Sequence, residues 1–298
     1  MSEVRRIMGK TAFIFPGQGA QVFGMGQDFY ENSETAKAVF DRATELLGFS
    51  VPELCFEKND RLDITEYTQA AMVTTSVAMM KVMEERGIHA DVAAGLSLGE
   101  YCALVAAGVM TADDAIRTVR ERGILMQEAV PAGVGGMSAV LGMTADEINA
   151  VVDDIPNVQV SGLKEAVETA AVKLKEAGAR RVIPLNVSGP FHSYLLEEAG
   201  EKLGRFLENI PVSEPVIPYV ANVTAAYVTK AEDVKPLLTR QVSSSVRWQQ
   251  SVETMLADGV DRFIEIGPGK TLAGFIRKIN REATVINIEK FEDLEKLN

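Results

Sequence analysis

The chain has 298 residues and carries 30 Lys and Arg against 42 Asp and Glu, a formal net charge of −12. This balance argues against a nucleic-acid binder, which needs a basic stripe for phosphates, and 47% hydrophobic residues are far from a disordered composition. Two cysteines (Cys55, Cys102) and two histidines (His89, His192), without HxxxH or HExxH spacing, cannot build a disulfide framework or an ordinary zinc site. A reducing cytoplasmic location is expected. The apolar run at 11–15 is too short for a signal peptide, and the most apolar window, 93–110, is interrupted by Glu100 and glycines, so no membrane span is expected.

In chain order, residues 11–15 predict a short apolar strand that stops at Pro16. A helix over 33–47 follows, capped by Ser33 and ended by Gly48, then a second over 68–85 closed at Gly87. A strand at 91–94 leads through a turn into a helix at 100–107. A further helix, 111–122, starts at the Thr111 cap and is expected to end at Gly123. The Gly/Pro-rich stretch 131–136 reads as a joint. Beyond it come a strand at 137–141, a capped helix at 144–152, a short stretch at 158–160, a helix at 164–177 and a strand at 181–185. Ser188-Gly-Pro190 marks the return. Late in the chain lie a strand at 262–266, the turn Gly267-Pro-Gly269, a helix at 271–280, a strand at 285–288 and a charged, helical tail over 289–298.

This alternation predicts an α/β fold with a parallel sheet covered by helices on both faces. The expected organisation is a large α/β domain, 1–130 and 190–298, with a small α+β insertion at 131–189.

Gly95-Leu-Ser-Leu-Gly99 is a GxSxG sequence between a predicted strand and a predicted helix. Small residues at both ends allow the sharp turn that exposes a Ser hydroxyl, so Ser97 is the candidate nucleophile, against the blander reading of a glycine-rich turn. A Ser nucleophile needs a base, and His192 at the joint is preferred over His89, which reads as a solvated loop residue. Pro16-Gly-Gln-Gly-Ala-Gln21 ends the first strand, and its glycines let backbone N–H groups face a cavity. It is not a dinucleotide fingerprint, since Val22 occupies the third glycine position. Gly269-Lys-Thr271 is not a phosphate loop either, because Ile264 stands where the earlier glycine is required. Local sequence alone reads Arg122 as a cation favoured at a helix C-terminus.

Four ordered segments carry a resemblance: Phe15-Pro-Gly-Gln-Gly-Ala-Gln21, Gly95-Leu-Ser-Leu-Gly-Glu-Tyr101, Ser188-Gly-Pro-Phe-His-Ser193 and Glu265-Ile-Gly-Pro-Gly-Lys270. Over almost its whole length the chain resembles the malonyl-CoA:acyl carrier protein transacylases of type II fatty acid synthesis. The resemblance implies an α/β-hydrolase-like large domain with a small inserted ferredoxin-like subdomain. It implies malonyl transfer to a carrier protein by a ping-pong route, with no cofactor beyond the CoA thioester and the partner's phosphopantetheine. Ser97 would carry the malonyl group and His192 would be general base and acid. Gln18 and Leu98 would supply the oxyanion N–H groups, and Arg122 would bind the malonyl carboxylate, replacing its local reading. The backbone carbonyl of Gln241 would orient the histidine, and Phe191 is the type found in malonyl-selective members. Malonyl-CoA and acyl carrier protein are the implied partners, with no nucleic acid and no membrane.

The chain departs from the family's pattern at Leu96, where many members have His, and in 154–161, which leaves room for one strand where the family has two. A βαββαβ subdomain needs four strands, and three at best are countable here, so this subdomain is expected to be shortened. Because the carrier protein is itself acidic, docking is expected on a local basic patch. The candidates are Lys270, Arg277, Lys278 and Arg281, or Lys173, Lys175, Arg180 and Arg181. Competing readings are a polyketide-type acyltransferase, a serine esterase or thioesterase, and an idle carrier-binding scaffold. The α/β-hydrolase order places its His late, whereas no histidine follows His192.

Overall fold

The computed structural model describes residues 9–131, 133–153, 155, 161–184 and 189–297. Strand β1 (Lys10–Phe15) is the centre of the fold. Its side chains alternate: Phe13 and Phe15 enter one apolar cluster, Ala12 and Ile14 another on the opposite face. A strand buried on both faces reads as a continuous apolar run, as this one does.

After β1 come the short helix α1 (Gln27–Asn32), α2 (Glu34–Leu47), α3 (Val51–Phe56) and the long α4 (Thr65–Glu85). The Ser33 hydroxyl caps α2, and Gly48 ends it in the left-handed conformation at φ 73°. Helix α4 is buried nearly all round, which is why its sequence lacks a polar face. Strand β2 (Val92–Gly95) then turns into α5 (Gly99–Ala106), followed by α6 (Ala112–Glu128).

Helix α6 does not end at Gly123. A Cβ there would lie 2.6 Å from the Glu66 Cα, so the glycine serves close packing of α6 against α4 and the helix runs on to Glu128. In this setting packing overrides the propensity of glycine to stop a helix.

A second, three-stranded sheet follows. It consists of β3 (Gly135–Leu141), β4 (Ser161–Leu163) and β5 (Arg181–Pro184), with β3 central and antiparallel to both neighbours. Helices α7 (Ala145–Val152) and α8 (Lys164–Glu176) cover it through a separate apolar cluster that includes Val152, Val167, Leu174 and Val182. Among the described residues this sheet has three strands. The expected stretch at 158–160 lies outside them, and the strand that pairs, Ser161–Leu163, starts at the last residue of the segment 154–161 that left room for one strand and runs two residues beyond it.

The chain returns through the 3₁₀ turn Tyr194–Leu196 into α9 (Glu197–Leu207). The two-residue strands β6 (Tyr219–Val220) and β7 (Tyr227–Val228) form a hairpin, followed by α10 (Ala231–Gln241) and α11 (Trp248–Ala257). Strand β8 (Val260–Ile266), helix α12 (Thr271–Ile279) and strand β9 (Thr284–Ile288) complete the main sheet, and the expected helical tail is a 3₁₀ helix, Phe291–Leu297. Its order is β7-β6-β2-β1-β8-β9, parallel except for the β6–β7 hairpin.

The chain leaves β1 for β2 on one side and later places β8 on the other. Because β1 leads on to β2 and β8 leads on to β9, the switch point at which open α/β sheets bind ligands lies at the carboxyl ends of β1 and β8, next to the turn that follows β2. Phe15 and Gly95 are register partners, so the turns after β1 and β2 lie side by side.

Candidate active site

The turn after β2 is made by its glycines. A Cβ on Gly95 would fall 2.0 Å from Gly99, and one on Gly99 would fall 2.2 Å from the Phe15 carbonyl oxygen. Helix α5 can start this close to the sheet only with glycine at both places. Between them Ser97 adopts φ 51°, a left-handed conformation that costs a non-glycine residue energy and projects its hydroxyl from the turn.

A residue that sequence reasoning did not single out holds this turn. The Asn222 side chain accepts from the Ser97 N–H at 2.6 Å and donates to the Gly95 carbonyl at 2.7 Å. Asn222 follows β6, the neighbour of β2, and a two-residue strand gives no readable pattern.

His192 lies 2.7 Å from the Ser97 Oγ through Nε2, and it too has a positive φ, 59°. Its Nδ1 faces two carbonyl oxygens, those of Gln241 at 2.9 Å and Ser244 at 3.0 Å. Two acceptors on that side require Nδ1–H, which leaves Nε2 to accept the Ser97 proton. Burial, and the Arg122 guanidinium next to it, push the imidazole down to about 4, so it is neutral near pH 7.

Arg122, from α6, is 1% exposed. Its Nη1 donates to Gln69 Oε1 at 2.7 Å, and its Nη2 donates to Gln241 Oε1 at 3.2 Å and to the Ser97 Oγ at 3.1 Å. Among the described residues no carboxylate forms an ion pair with it. A buried guanidinium braced by two amides and aimed at a serine hydroxyl has the chemistry to receive an anion.

The structure brings the expected site residues together. Ser97, His192, Arg122, Gln18 and Phe191 line one cavity of about 630 Å³, to which Met137 of β3 also contributes. The backbone N–H groups of Gln18 and Leu98 donate no hydrogen bond among the described residues, and Leu98 opens α5, where helix N–H groups are unpaired. Gln241 is fully buried behind Arg122 rather than on the cavity wall, and it acts with its carbonyl and its side chain. Ser188 of the expected motif lies outside the described residues. His89 stands apart from the cavity. All eight basic residues named as docking candidates are exposed.

Sequence reasoning missed Gln69, Asn222, Ser244 and the use of Glu100. One signal was available for the last: a glutamate inside the most apolar window of the chain has to be buried and partnered.

The fold and the serine–histidine pair at the sheet's carboxyl edge define an enzyme of acyl transfer, and residues 12–291 match the acyl transferase domain family. The chain belongs to that family. It is 43% identical, over 97% of its length and 96% of the relative's, to the malonyl CoA-acyl carrier protein transacylase of Bacillus subtilis strain 168. That alignment has 304 positions, more than the chain has residues, so the relative carries residues without a counterpart here. The solved malonyl CoA-acyl carrier protein transacylase of Clostridium perfringens ATCC 13124 superposes with a TM-score of 0.92 at 40% identity, covering 97% of this chain and 96% of that one. A solved complex of a type II PKS acyl-carrier protein with its malonyl-transacylase, PlMCAT:AntF, gives 0.91 at 36% identity, covering 96% and 98%.

Proposed function

We propose that the chain transfers a malonyl group from malonyl-CoA to the phosphopantetheine thiol of acyl carrier protein, supplying fatty acid elongation. The observation that carries this is Arg122: a buried guanidinium without a carboxylate partner, 3.1 Å from the Ser97 hydroxyl. An acyl group ending in a carboxylate completes that arrangement, whereas an acetyl group leaves it unpaired.

In the first half-reaction His192 Nε2 takes the Ser97 proton as Oγ attacks the thioester carbonyl. The Gln18 and Leu98 N–H groups receive the oxyanion, each worth about 3 kcal/mol of barrier. The tetrahedral intermediate expels CoA, whose thiolate takes the proton from His192, and a malonyl ester remains on Ser97. In the second half His192 deprotonates the carrier thiol, which attacks the ester and regenerates Ser97. The Gln241 and Ser244 carbonyls hold the imidazole and stabilise its charged form, so no acidic third member is needed. Phe191, on the cavity wall next to His192, is the residue that would favour malonyl over a branched acyl group. The cavity lies between the proposed large domain (1–130 and 190–298) and the proposed insertion (131–189), where a pantetheine arm can enter. No helix of the described residues is long and apolar enough to cross a membrane, and a cytoplasmic location, with CoA and the carrier as the only group carriers, belongs to the same reading.

Intact mass after brief mixing with malonyl-CoA tests it. A single malonyl adduct is expected that requires Ser97, persists in water and disappears on adding holo acyl carrier protein. Arg122→Ala should label weakly with malonyl-CoA and no worse than wild type with acetyl-CoA. Rapid release of free malonate without a thiol acceptor would instead identify a hydrolase. Transfer to a polyketide carrier but not to a fatty acid carrier would reassign the partner.

A further inference from the structure

Beneath the nucleophile turn lies Glu100, 1% exposed, a carboxylate that the transfer reaction does not use. Its Oε2 accepts from the Gln241 Nε2 at 2.6 Å and from the Asn222 backbone N–H at 3.2 Å. Gln241 therefore presents its NH₂ to Glu100 and to the Ser97 carbonyl at 2.9 Å, and its Oε1 to Arg122. One amide stands between a buried anion and a buried cation.

That spacing answers two opposed demands. A buried guanidinium with no negative charge nearby is costly, yet a direct ion pair would occupy the N–H groups that must meet the substrate. An interposed amide lets Glu100 offset the charge of Arg122 while Nη2 stays aimed at the Ser97 hydroxyl. We propose that Glu100 is the relayed counter-charge of Arg122, a positioning residue that keeps the guanidinium buried in the empty enzyme and moderates its grip on the carboxylate of the acyl group. The substrate arm rests on the malonyl reading above, whereas the stability arm does not.

The groups facing Glu100 are few. Arg122 comes from α6, Gln241 from α10, Asn222 from the turn after β6, Tyr101 from α5 and Tyr219 from β6. Burial raises both phenols, so neither ionises near neutral pH. Burial raises the Glu100 carboxyl to about 7, against the pull of Gln241, Asn222 and Arg122, so its charge changes where assays are run.

A double-variant cycle tests the stability arm without substrate. Glu100→Gln keeps the shape and an acceptor oxygen but removes the charge, which relieves the cost of burying a carboxylate and at the same time takes the counter-charge from Arg122. In an Arg122→Ala background, where Glu100 has already lost its cation, only the relief remains, so the substitution should raise the Tm more there than in the wild type at pH 8. Equal Tm changes in the two backgrounds would mean that Glu100 does not act through Arg122, and would overturn the proposal.

The substrate arm is read as a ratio. In Glu100→Gln the KM for malonyl-CoA should fall about five- to tenfold relative to that for acetyl-CoA, with slower release to the carrier. In the wild type this ratio should rise as pH climbs through about 7 and Glu100 ionises. In the variant it should be flat, because titration of His192 and of the CoA phosphates is common to both thioesters. A higher malonyl KM, or equal changes for both substrates, would overturn the proposal. Absence of any malonyl adduct on the wild type would instead overturn the malonyl reading and leave the Tm cycle to decide.

Discussion

Ser97 and His192 meet at 2.7 Å, and both hold positive φ angles, 51° and 59°. Among the described residues only Ala225 shares that conformation without being glycine. Each such residue costs of order 1–3 kcal/mol. The pair is held against that strain by Asn222 at the serine and by the Gln241 and Ser244 carbonyls at the histidine.

Asn222→Ala should therefore damage catalysis more than folding. It leaves the Ser97 N–H and the Gly95 carbonyl unpartnered, a loss of about 1–3 kcal/mol. Relaxation of the turn moves Oγ off His192, and kcat should fall at least tenfold. Denaturant unfolding set beside single-turnover acylation separates the two effects, and unchanged acylation would mean the turn holds itself.

Gly99→Ala is expected to be worse. Its Cβ would press on the Phe15 carbonyl at 2.2 Å, with the Pro16 carbonyl also near, and backbone cannot yield as a side-chain tip can. A destabilisation of about 3 kcal/mol or more is expected, with loss of the acyl adduct. Gly123→Ala should act one residue from Arg122 by pushing α6 off Glu66 at 2.6 Å, and its malonyl labelling should fall together with its Tm.

Arg122→Lys keeps the charge but not the fork. One ammonium cannot serve Gln69, Gln241 and the Ser97 hydroxyl in the observed directions, so selectivity for malonyl over acetyl should fall at least tenfold. Retained selectivity in competitive labelling would show that charge alone suffices.

The acylation rate should hold as pH falls through the ordinary histidine range and decline only near 4, because His192 stays neutral until then. The same shift makes stability pH-dependent. Between about 6.5 and 4 the unfolded chain binds a proton at this histidine that the folded chain refuses, so stability drops on acidification through that window. Urea midpoints for wild type and His192→Gln across pH 4–7 should converge at the acid end.

What could be read in advance followed from local rules. The strand ends, the capped helices and the GxSxG turn each rest on a few adjacent residues, so β1, β2, α2 and the place of Ser97 were legible. Arg122 was not: its neighbours alone suggest a helix end, and its meaning comes from Gln69 and Gln241, 53 and 119 residues away. Gly123 misled for the same reason, since only the position of α4 explains it. The hairpin β6–β7 and the role of Asn222 escaped because two-residue strands carry no period.

The hydrogen bonds that arm Ser97 span 125 residues to Asn222 and 144 to Gln241. Contacts that distant form late, after the intervening chain has closed its loops. On the ribosome, a nascent chain that has emerged only as far as α9 already displays its GxSxG serine but has neither Asn222 nor Gln241. A chain of that length is expected to take no acyl group from a CoA thioester, because nothing yet holds the strained serine turn.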